Sequence, residues 1–451
     1  MADVIHPDQT YTVPGRSIFD NLFLVRDLLE LGRRDGLLFT LLSLDQEKAF
    51  DRVDHGYLLS TLQAFGFRPQ FVSFLRVLYA SAESLVRLNW TLTEPVSFGR
   101  GVRQGCPLSG QLYALAIEPF LCLLRRRLTG LVLREPELRL VLSAYANDVL
   151  LVVQDPGDLA RVEACQAIYS AASSARVNWV KSSGLAVGDW RQVSSLPPAL
   201  QTIQWSAGPL LYLGVYLSAT HPSPPENWQN LEGGVIERIR KWTRLLRCLS
   251  LRGRALVLNQ LVLSTLWYWL NTLVPAPGFL TNLRTSILEY FWSGMHWAPV
   301  GVLHLPLKEG GQGLKCLYTQ VRVFRLQALQ RLLYSAGSST WSILAHAFLR
   351  RFQGSDTTGS SFIFVREVFR ETSPGCRSST RTSSGPGNCF KRPGPWRPPW
   401  EQISTRSPCY TIPNSVCRWR SPARCARGWS WRKSRASETS WTTTGETGWI
   451  P

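Results

Sequence analysis

The stretch LVLSAYANDVLLVVQ (residues 140–154) consists of two apolar runs separated by a short polar tip. Two apolar runs around a polar turn predict a β-hairpin with one strand on either side of the tip. The tip carries Asn147 and Asp148 side by side, and packing gives no reason for this pair. An Asn-Asp pair is also common in ordinary turns, so the hairpin alone leaves two interpretations open, a plain turn and a site that uses both side chains.

The stretch LDQEKAFD (residues 44–51) is a second candidate site. It follows a short apolar run over residues 38–44, which predicts a buried strand that ends at Asp45. The end of a buried strand, before a turn into a helix, is a common position for a metal or phosphate ligand. The alternative is that Asp45 and Asp51 are helix caps or surface charges.

The loop RGVRQGCPLSGQLY (residues 100–113) is a third candidate. Its glycines allow the backbone to come close to a ligand, and a loop that enters a helix N-terminus suits a phosphate group or a base edge. The glycines and the hydrogen-bond donors are Gly101, Gly105 and Gly110, and Arg100, Arg103 and Gln104. A plain glycine-rich connection is the alternative.

Two helices are expected around the hairpin. The first covers residues 109–128, with Ser109 as its N-cap and a kink at Pro119. The second begins at Asp155-Pro156, with Asp as the cap and Pro at the first helical position, and runs to about residue 175. Together with the strands, these helices indicate a mixed α and β chain.

The second half of the chain has a different pattern. YLGVYL (residues 212–217) predicts one short strand, and from Asn227 onward the periodicity is helical. Residues 236–254 predict a single helix with an apolar stripe opposite a row of arginines. The stripe is Trp242, Leu245, Leu246 and Leu249, and the arginines are Arg240, Arg244 and Arg247.

The charge of the chain favours an anionic partner. The 451 residues include 50 Lys and Arg against 31 Asp and Glu, a net charge of +19, which suits nucleic acid. Ten Cys without paired spacing do not indicate disulfides, and the most apolar window, residues 256–270, is too short and too polar to span a membrane. Since the first ten residues have no secretory pattern, we expect a reducing compartment, the nucleus and the cytoplasm.

Residues 371–451 differ from the rest of the chain. They contain no Leu, and their 13 Lys and Arg against four Glu carry +9 of the net charge. One interpretation is a disordered basic arm that binds nucleic acid, and the other is a segment translated out of frame. The abundance of Trp and Cys favours the second interpretation. The five Cys of this tail have no zinc-knuckle spacing, and no His follows His346.

The three candidate sites occur in the order of the A, B and C motifs of polymerase palm domains. More closely, the chain resembles the reverse transcriptases of vertebrate LINE-type (non-long-terminal-repeat) retrotransposons. The stretches that carry this resemblance are DQTYTVPGRS (8–17), DQEKAFDRVDH (45–55), GVRQGCPLSGQLYALAIEP (101–119), AYANDV (144–149), ARVNWVKSSGL (175–185), YLGVYL (212–217), LSLRGRALVLNQLV (249–262) and LPLKEGGQGL (305–314). The resemblance covers roughly residues 5–340.

This resemblance implies an α+β fold. Its core would be the palm of a right-hand polymerase, an antiparallel sheet with packed helices, followed by an α-helical thumb. The implied domains are a partial fingers segment (1–37), the reverse transcriptase palm (38–220), the helical thumb and post-thumb region (221–345), a boundary (346–370) and the basic tail (371–451).

The resemblance also implies an RNA-directed DNA polymerase that binds an RNA template, a DNA primer and a dNTP. Two Mg²⁺ ions, or Mn²⁺ in their place, would be held by Asp45, Asn147 and Asp148, and Lys181 would be a possible acid near the leaving pyrophosphate. The implied nucleotide-binding residues are Phe50, Gln104, Gly105 and Pro107. The implied nucleic-acid-binding residues are Arg103, Arg240, Arg244, Arg247, Arg252 and Arg254.

The hairpin tip departs from the family pattern. The family has Tyr/Phe-Ala-Asp-Asp there, and this chain has Tyr145-Ala146-Asn147-Asp148. An amide oxygen can coordinate Mg²⁺ but carries no charge and bridges two ions less well than a carboxylate. We therefore expect this copy to be severely impaired. Two other hypotheses stay open: a catalytically silent protein that binds RNA or an RNA–DNA hybrid, and a pseudogene product without a stable function.

Overall fold

The computed structural model describes residues 1–352, except 81, 135–136, 189–196, 207, 246–247, 295 and 335–338. The described residues belong to one compact unit, Met1–Cys376. The expectations for the boundary beyond residue 352 and for the tail, residues 371–451, lie outside the described residues. No helix within the described range is long and apolar enough to cross a membrane.

The described residues form short strands and mostly longer helices. The strands are β1 (Phe39–Leu44), β2 (Glu83–Ser84), β3 (Arg87–Leu88), β4 (Thr91–Leu92), β5 (Val96–Ser97), β6 (Leu131–Leu133), β7 (Leu138–Leu140), β8 (Leu142–Tyr145), β9 (Asp148–Val153), β10 (Ser183–Val187), β11 (Gln204–Ser206), β12 (Leu210–Tyr212) and β13 (Val215–Leu217). The α-helices are α1 (Ile18–Asp35), α2 (His55–Ala64), α3 (Pro69–Ala80), α4 (Ser109–Arg127), α5 (Gly157–Ser173), α6 (Pro225–Thr243), α7 (Leu251–Val257), α8 (Trp267–Thr272), α9 (Phe279–Trp292), α10 (Val300–His304), α11 (Leu317–Tyr334) and α12 (Thr340–Phe352). This arrangement confirms the predicted α+β class.

The central sheet has five strands in the order β11-β10-β1-β9-β8. The pairs from β8 to β10 are antiparallel, and only β10 and β11 run parallel. The predicted strand before Asp45 is confirmed as β1, and the predicted hairpin is confirmed as β8 and β9. β1 lies in the middle of the sheet and pairs with β9, so Leu44, the last residue of β1, lies beside the tip of the β8–β9 hairpin.

Helices cover both faces of this sheet. Successive side chains of a strand point to opposite faces, so Leu41 packs with α1 in one core and Leu42 packs with α4 in the other. Both leucines are completely buried. Since each face is closed by apolar packing, the open positions of the sheet are the strand ends, which is where the polar candidate residues lie.

The helices around the hairpin have the predicted extents, but their caps differ from the prediction. Ser109 is the first residue of α4, and its hydroxyl donates to the Arg103 carbonyl at 2.5 Å, so its prediction as the N-cap was wrong. That bond closes the preceding loop onto the helix. α5 begins one residue later than expected, with Pro156 at the N-cap, while Asp155 still accepts a hydrogen bond from the Gly157 N–H at 2.9 Å.

The single helix expected over residues 236–254 was also wrong. α6 ends at Thr243, and α7 begins after Ser250, whose hydroxyl caps it by accepting from the Gly253 N–H at 3.2 Å. Leu245 is 44% exposed, so it does not continue a buried stripe. Serine is a favoured N-cap residue, so Ser250 marks the start of a new helix, and the apolar periodicity alone concealed this break.

The single strand expected at residues 212–217 is part of a hairpin. β12 and β13 pair antiparallel from Leu210 with Leu217 to Tyr212 with Val215. The turn between them, Leu213-Gly214, is left-handed at both positions (φ 47° and 74°). Two left-handed turn residues match the right-handed twist of paired strands, which is why a glycine in this short apolar run marks a turn.

Candidate active site

The acid after β1 and the acid that opens β9 are neighbours across two paired strands. Leu44 pairs with Val149 as the last pair between β1 and β9, and Asp45 and Asp148 are the next residues beyond that pair. Residues that face each other in an antiparallel pair have Cα atoms about 4.5–5.5 Å apart. Asp45 is half-buried and Asp148 is exposed, so both carboxylates meet at an edge of the sheet that solvent can reach. The electrostatic interaction between the two carboxylates shows that they are neighbours.

The electrostatics of Asp148 reflect this proximity. Although part of its surface is exposed, desolvation by the surrounding protein raises the pKa of Asp148 above its usual value. The negative charge of Asp45 raises the pKa further, because two like charges disfavour each other's ionisation. A bound cation would offset the repulsion from Asp45, the second cause of this shift, so the pair is suited to a positively charged ligand.

The hairpin tip supplies a third polar side chain. Tyr145 pairs with Asp148, which leaves Ala146 and Asn147 as a two-residue turn. Ala146 is left-handed (φ 55°), a conformation that residues with a Cβ rarely adopt. Asn147 is half-buried. Across the described ranges no group of three or more His, Cys, Asp or Glu side chains could hold a metal ion. At the hairpin tip the chain offers the Asp148 carboxylate and the Asn147 amide as adjacent oxygen ligands.

A turn from the segment 178–182 fixes the backbone of Asp45. The Asp45 N–H donates to the Ser182 hydroxyl at 3.1 Å, and the Asn178 N–H donates to the Asp45 carbonyl at 2.7 Å. Lys181 belongs to the same turn and is exposed. Lys181, which the sequence predicts as a site residue, therefore lies on a turn that is hydrogen-bonded directly to the backbone of Asp45.

The glycine-rich loop packs against the turn that follows Asp45. The Gly101 N–H donates to the Val53 carbonyl at 2.7 Å, and the Val102 N–H donates to the Phe50 carbonyl at 2.9 Å. Gly101 has φ 95°, and a Cβ there would lie 3.1 Å from the Asp51 carbonyl oxygen, so glycine is required for this approach. The rest of the loop is open: Arg103, Gln104, Gly105 and Pro107 are exposed.

An aromatic cluster lies between the loop and the hairpin. Phe50 stacks on Tyr113 with ring centroids 4.3 Å apart, and Tyr11 contacts the edges of Phe50 and Tyr145 at 6.4 and 5.1 Å. Of these rings only Phe50 was singled out from the sequence. Tyr113 and Tyr11 were missed because each was part of a quoted stretch that was interpreted as helix or loop, and no periodicity relates them to Phe50.

The β12–β13 hairpin lies close to the β8–β9 hairpin. The Tyr212 and Ser143 hydroxyls are 3.2 Å apart, and Ser143 belongs to β8. Tyr268 donates its hydroxyl hydrogen to the Leu213 carbonyl at 2.5 Å, and desolvation raises the pKa of Tyr268 to about 12. A hydrogen bond from Tyr268 of α8 thus fixes the turn between β12 and β13. Tyr268 was missed because it lies in the apolar window that was interpreted only as a buried helix.

The arginines of the helical region divide into two groups. Arg240, Arg244 and Arg252 are exposed, whereas Arg254 donates to the Phe291 carbonyl and the Ser293 hydroxyl, each at 2.9 Å. Arg254 is therefore bonded within the protein. Arg247 lies outside the described residues.

Comparison with solved structures gives weak similarity to telomerases. A Candida albicans telomerase in complex with a fragment of telomeric RNA aligns with a TM-score of 0.35 and 13% identity, over 81% of this chain and 54% of that chain. An apo telomerase of Candida tropicalis aligns with a TM-score of 0.36 and 12% identity, over 73% and 56%. Similarity at this level adds nothing to the sequence matches that follow.

Sequence comparison identifies the family. Residues 1–217 match the model "Reverse transcriptase (RNA-dependent DNA polymerase)". The chain is 58% identical to the "Transposon TX1 uncharacterized 149 kDa protein" of Xenopus laevis over 369 residues, which are 82% of this chain and 28% of that protein. It is 22% identical to a Pol polyprotein of an R2 retrotransposable element of Popillia japonica, over 78% of this chain and 59% of that protein. The chain thus spans less than two thirds of either relative, and its residues 1–217 carry a reverse transcriptase domain similar to those of LINE-type, non-long-terminal-repeat retrotransposons.

Proposed function

We propose that this chain is the palm and thumb of an RNA-directed DNA polymerase whose activity is impaired in this copy. Such an enzyme extends the 3′-hydroxyl of a DNA primer with dNTPs along an RNA template. The observation that carries the proposal is the end of the β1–β9 pairing, because Asp45 and Asp148 directly follow its last pair and interact electrostatically at an accessible sheet edge. The glycine-rich loop borders the same edge through its hydrogen bonds to residues 50 and 53.

The reaction is an in-line displacement at the α-phosphate of a dNTP, with pyrophosphate as the leaving group. Two Mg²⁺ ions, or Mn²⁺, would lower the pKa of the primer hydroxyl and neutralise charge on the phosphates. Asp45, Asn147 and Asp148 are the oxygen ligands that this chain offers. The repulsion that raises the pKa of Asp148 supports a cation site between the two acids.

Asn147 is the weak point of this ligand set. It replaces a charged oxygen ligand with a neutral one, and magnesium sites depend on anionic oxygens. We expect a loss of several kcal/mol in metal binding and transition-state stabilisation, or at least about 10²–10³ in rate. Reverse transcription by this copy would therefore be slow or absent, although the palm retains its shape.

The incoming nucleotide would bind between the loop and the aromatic cluster. Phe50, stacked on Tyr113, would contact the sugar and exclude a 2′-hydroxyl. The exposed Gln104, Gly105 and Pro107 would contact the base pair. Lys181, on the turn bonded to Asp45, would donate a proton to the leaving pyrophosphate.

The nucleic acid would lie along the exposed arginines. Arg103 borders the loop, and Arg240, Arg244 and Arg252 are free to reach phosphates from α6, its C-terminus and α7. Neutralising phosphates releases counterions, so binding should weaken steeply with salt. Arg254 is a poorer candidate because its guanidinium bonds to Phe291 and Ser293.

Asn147 specifically favours a second candidate function, a catalytically silent protein that binds RNA or an RNA–DNA hybrid. The positive charge that holds nucleic acid does not depend on the missing carboxylate. A salt titration of binding to RNA–DNA hybrid and to duplex DNA measures this function directly. Preference for the hybrid without any primer extension would select this second candidate.

Primer extension on a primed RNA template with Mg²⁺ tests the main proposal. Wild-type protein is compared with Asn147→Asp, and with Asn147→Asp combined with Asp45→Asn as the inactive control. We expect the Asn147→Asp variant to extend the primer at least about 10²-fold faster than wild type, and the control to be inactive. Equal rates for wild type and Asn147→Asp would contradict the assigned role of Asn147. No extension by any folded variant would contradict the polymerase proposal.

A further inference from the structure

The N-terminal segment of residues 8–10 lies alongside β8, on the free edge of the β8–β9 hairpin. The Ala144 N–H donates to the Asp8 carbonyl at 2.9 Å, and the Thr10 N–H donates to the Ala144 carbonyl at 3.1 Å. Gln9 is thereby paired in parallel with Ala144. This backbone pairing brings the side chain of Gln9 to the hairpin tip.

The amide of Gln9 binds both backbone groups of a single tip residue. Its Oε1 accepts from the Ala146 N–H at 3.2 Å, and its Nε2 donates to the Ala146 carbonyl at 3.3 Å. Oε1 also accepts from the Tyr11 N–H at 3.1 Å. Gln9 has no exposed surface, so these bonds are made out of contact with water. A buried amide that lost them would leave donors and acceptors unsatisfied on both sides.

Ala146 needs such support. Its φ of 55° is left-handed, and a Cβ makes that conformation unfavourable. Ala146 directly precedes Asn147, so its backbone angles set the direction in which residues 147 and 148 leave the turn. Gln9 makes one hydrogen bond to the peptide unit before Ala146 and one to the peptide unit after it. These two bonds favour the left-handed conformation over the alternatives that the turn could adopt.

The segment that carries Gln9 is itself anchored. Arg16 donates to the Gln9 carbonyl at 2.8 Å. The buried Asn21 accepts from the Thr10 hydroxyl and donates to the Ala144 carbonyl at 2.9 Å and to the Ser143 hydroxyl at 2.8 Å. The segment of residues 8–10 is therefore bonded to α1 and to β8 independently of the Gln9 side chain.

We propose that Gln9 is a positioning residue that holds the Ala146 turn in its left-handed conformation and so aligns residues 147 and 148 with Asp45. Gln9 does not touch substrate in this role, and it acts only through the backbone of Ala146. The catalytic consequence rests on the proposed polymerase function. The structural consequence is a fixed backbone at the hairpin tip with slow amide hydrogen exchange, and it does not depend on the polymerase function.

A double-mutant cycle tests this proposal. Gln9→Met keeps the volume of the side chain and removes its three hydrogen bonds, two to Ala146 and one from the Tyr11 N–H. Ala146→Gly removes the need for support because glycine adopts positive φ freely. Both changes are made in the Asn147→Asp protein, singly and together. We expect Gln9→Met to lower kcat about 10- to 100-fold, and Ala146→Gly to reduce that loss by about threefold or more. Gln166→Ala, which alters a buried glutamine of α5, is the control for general destabilisation and should leave kcat per folded molecule unchanged.

Amide hydrogen exchange provides a readout that needs no activity. The Ala146 N–H bonds to Gln9, so Gln9→Met should accelerate exchange at Ala146 while β1 and β9 keep their protection. Unchanged exchange at Ala146 would overturn the proposal, and so would a kcat loss of the same size with alanine or glycine at position 146. If the Asn147→Asp parent proves inactive, the polymerase function fails, and exchange at Ala146 alone decides whether Gln9 holds the turn.

Discussion

Replacing Asn147 with aspartate should make the stability of this protein depend on Mg²⁺. Asp45 and Asp148 already face each other across β1 and β9, and their repulsion contributes to the raised pKa of Asp148. A third carboxylate at the tip adds about 1 kcal/mol of repulsion, the value for two unit charges about 4 Å apart at water-like dielectric. For a unit of this size, that lowers the Tm of the metal-free protein by about 1–2 °C.

Mg²⁺ should reverse the order of the Tm values of the wild-type protein and the Asn147→Asp variant. At a Mg²⁺ concentration about 100 times the Kd, linkage stabilises the folded state by about 2.7 kcal/mol, or roughly 4 °C. If the loss of one carboxylate weakens the wild-type site about 100-fold, the same concentration adds only about 0.4 kcal/mol there. Asn147→Asp should therefore melt below wild type in EDTA and above it in Mg²⁺.

Calorimetry with and without Mg²⁺ measures this crossing directly. Asn89→Asp is the matched control, since it adds the same charge on the exposed turn between β3 and β4, away from the ligand set. Its Tm should respond to Mg²⁺ as wild type does. An equal Mg²⁺ response for Asn147→Asp and Asn89→Asp would refute the assignment of residue 147 as a metal ligand.

Three further perturbations follow from the structure. Phe50→Val in the Asn147→Asp protein should increase incorporation of ribonucleotides relative to dNTPs about tenfold or more, measured in single-nucleotide extension, because the ring that would exclude the 2′-hydroxyl is shortened. Asp148→Asn should stabilise the metal-free protein at neutral pH. The folded pKa of Asp148 lies above its unfolded value, so its destabilising effect is present above the folded pKa and disappears below the unfolded pKa, as thermal melts across pH 3–8 would show. Arg125→Met should cost about 3–5 kcal/mol in urea unfolding, because Asp8 and Glu118 would lose their shared buried partner.

The hairpin and β1 were predictable because local pattern and packing agree there. The apolar runs around the tip of residues 140–154 are long enough to define two strands, and the run before Asp45 defines a third. The register that aligns Asp45 with Asp148 was not visible in the sequence, because the pairing of distant strands depends on the whole sheet. The sequence proposes the ligands, and the structure adds that Asp45 and Asp148 follow the last pair between β1 and β9.

The errors share a cause. Ser109 has the composition of an N-cap, yet its hydroxyl donates to the carbonyl of Arg103, so a tertiary need of the loop overrides the local preference. In residues 236–254, apolar periodicity continues across a break that only the Ser250 cap reveals. Gln9 escaped notice because a buried glutamine in a loop has no periodicity, and only its contacts with Ala146 give it a role.

The same geometry explains why the Asn147 lesion is compatible with the fold. The palm depends on apolar packing on both faces of the sheet and on the backbone bonds of Gln9 to the tip, neither of which involves the side chain of residue 147. In the absence of metal, an amide there also avoids a third negative charge beside Asp45 and Asp148. We therefore expect loss of catalysis and loss of structure to be separate events in this protein, so that a copy without catalysis would still bind nucleic acid through its exposed arginines. A folded wild-type protein with salt-dependent hybrid binding and no extension would have this combination of properties, and an unfolded wild-type protein rescued by Asn147→Asp would contradict it.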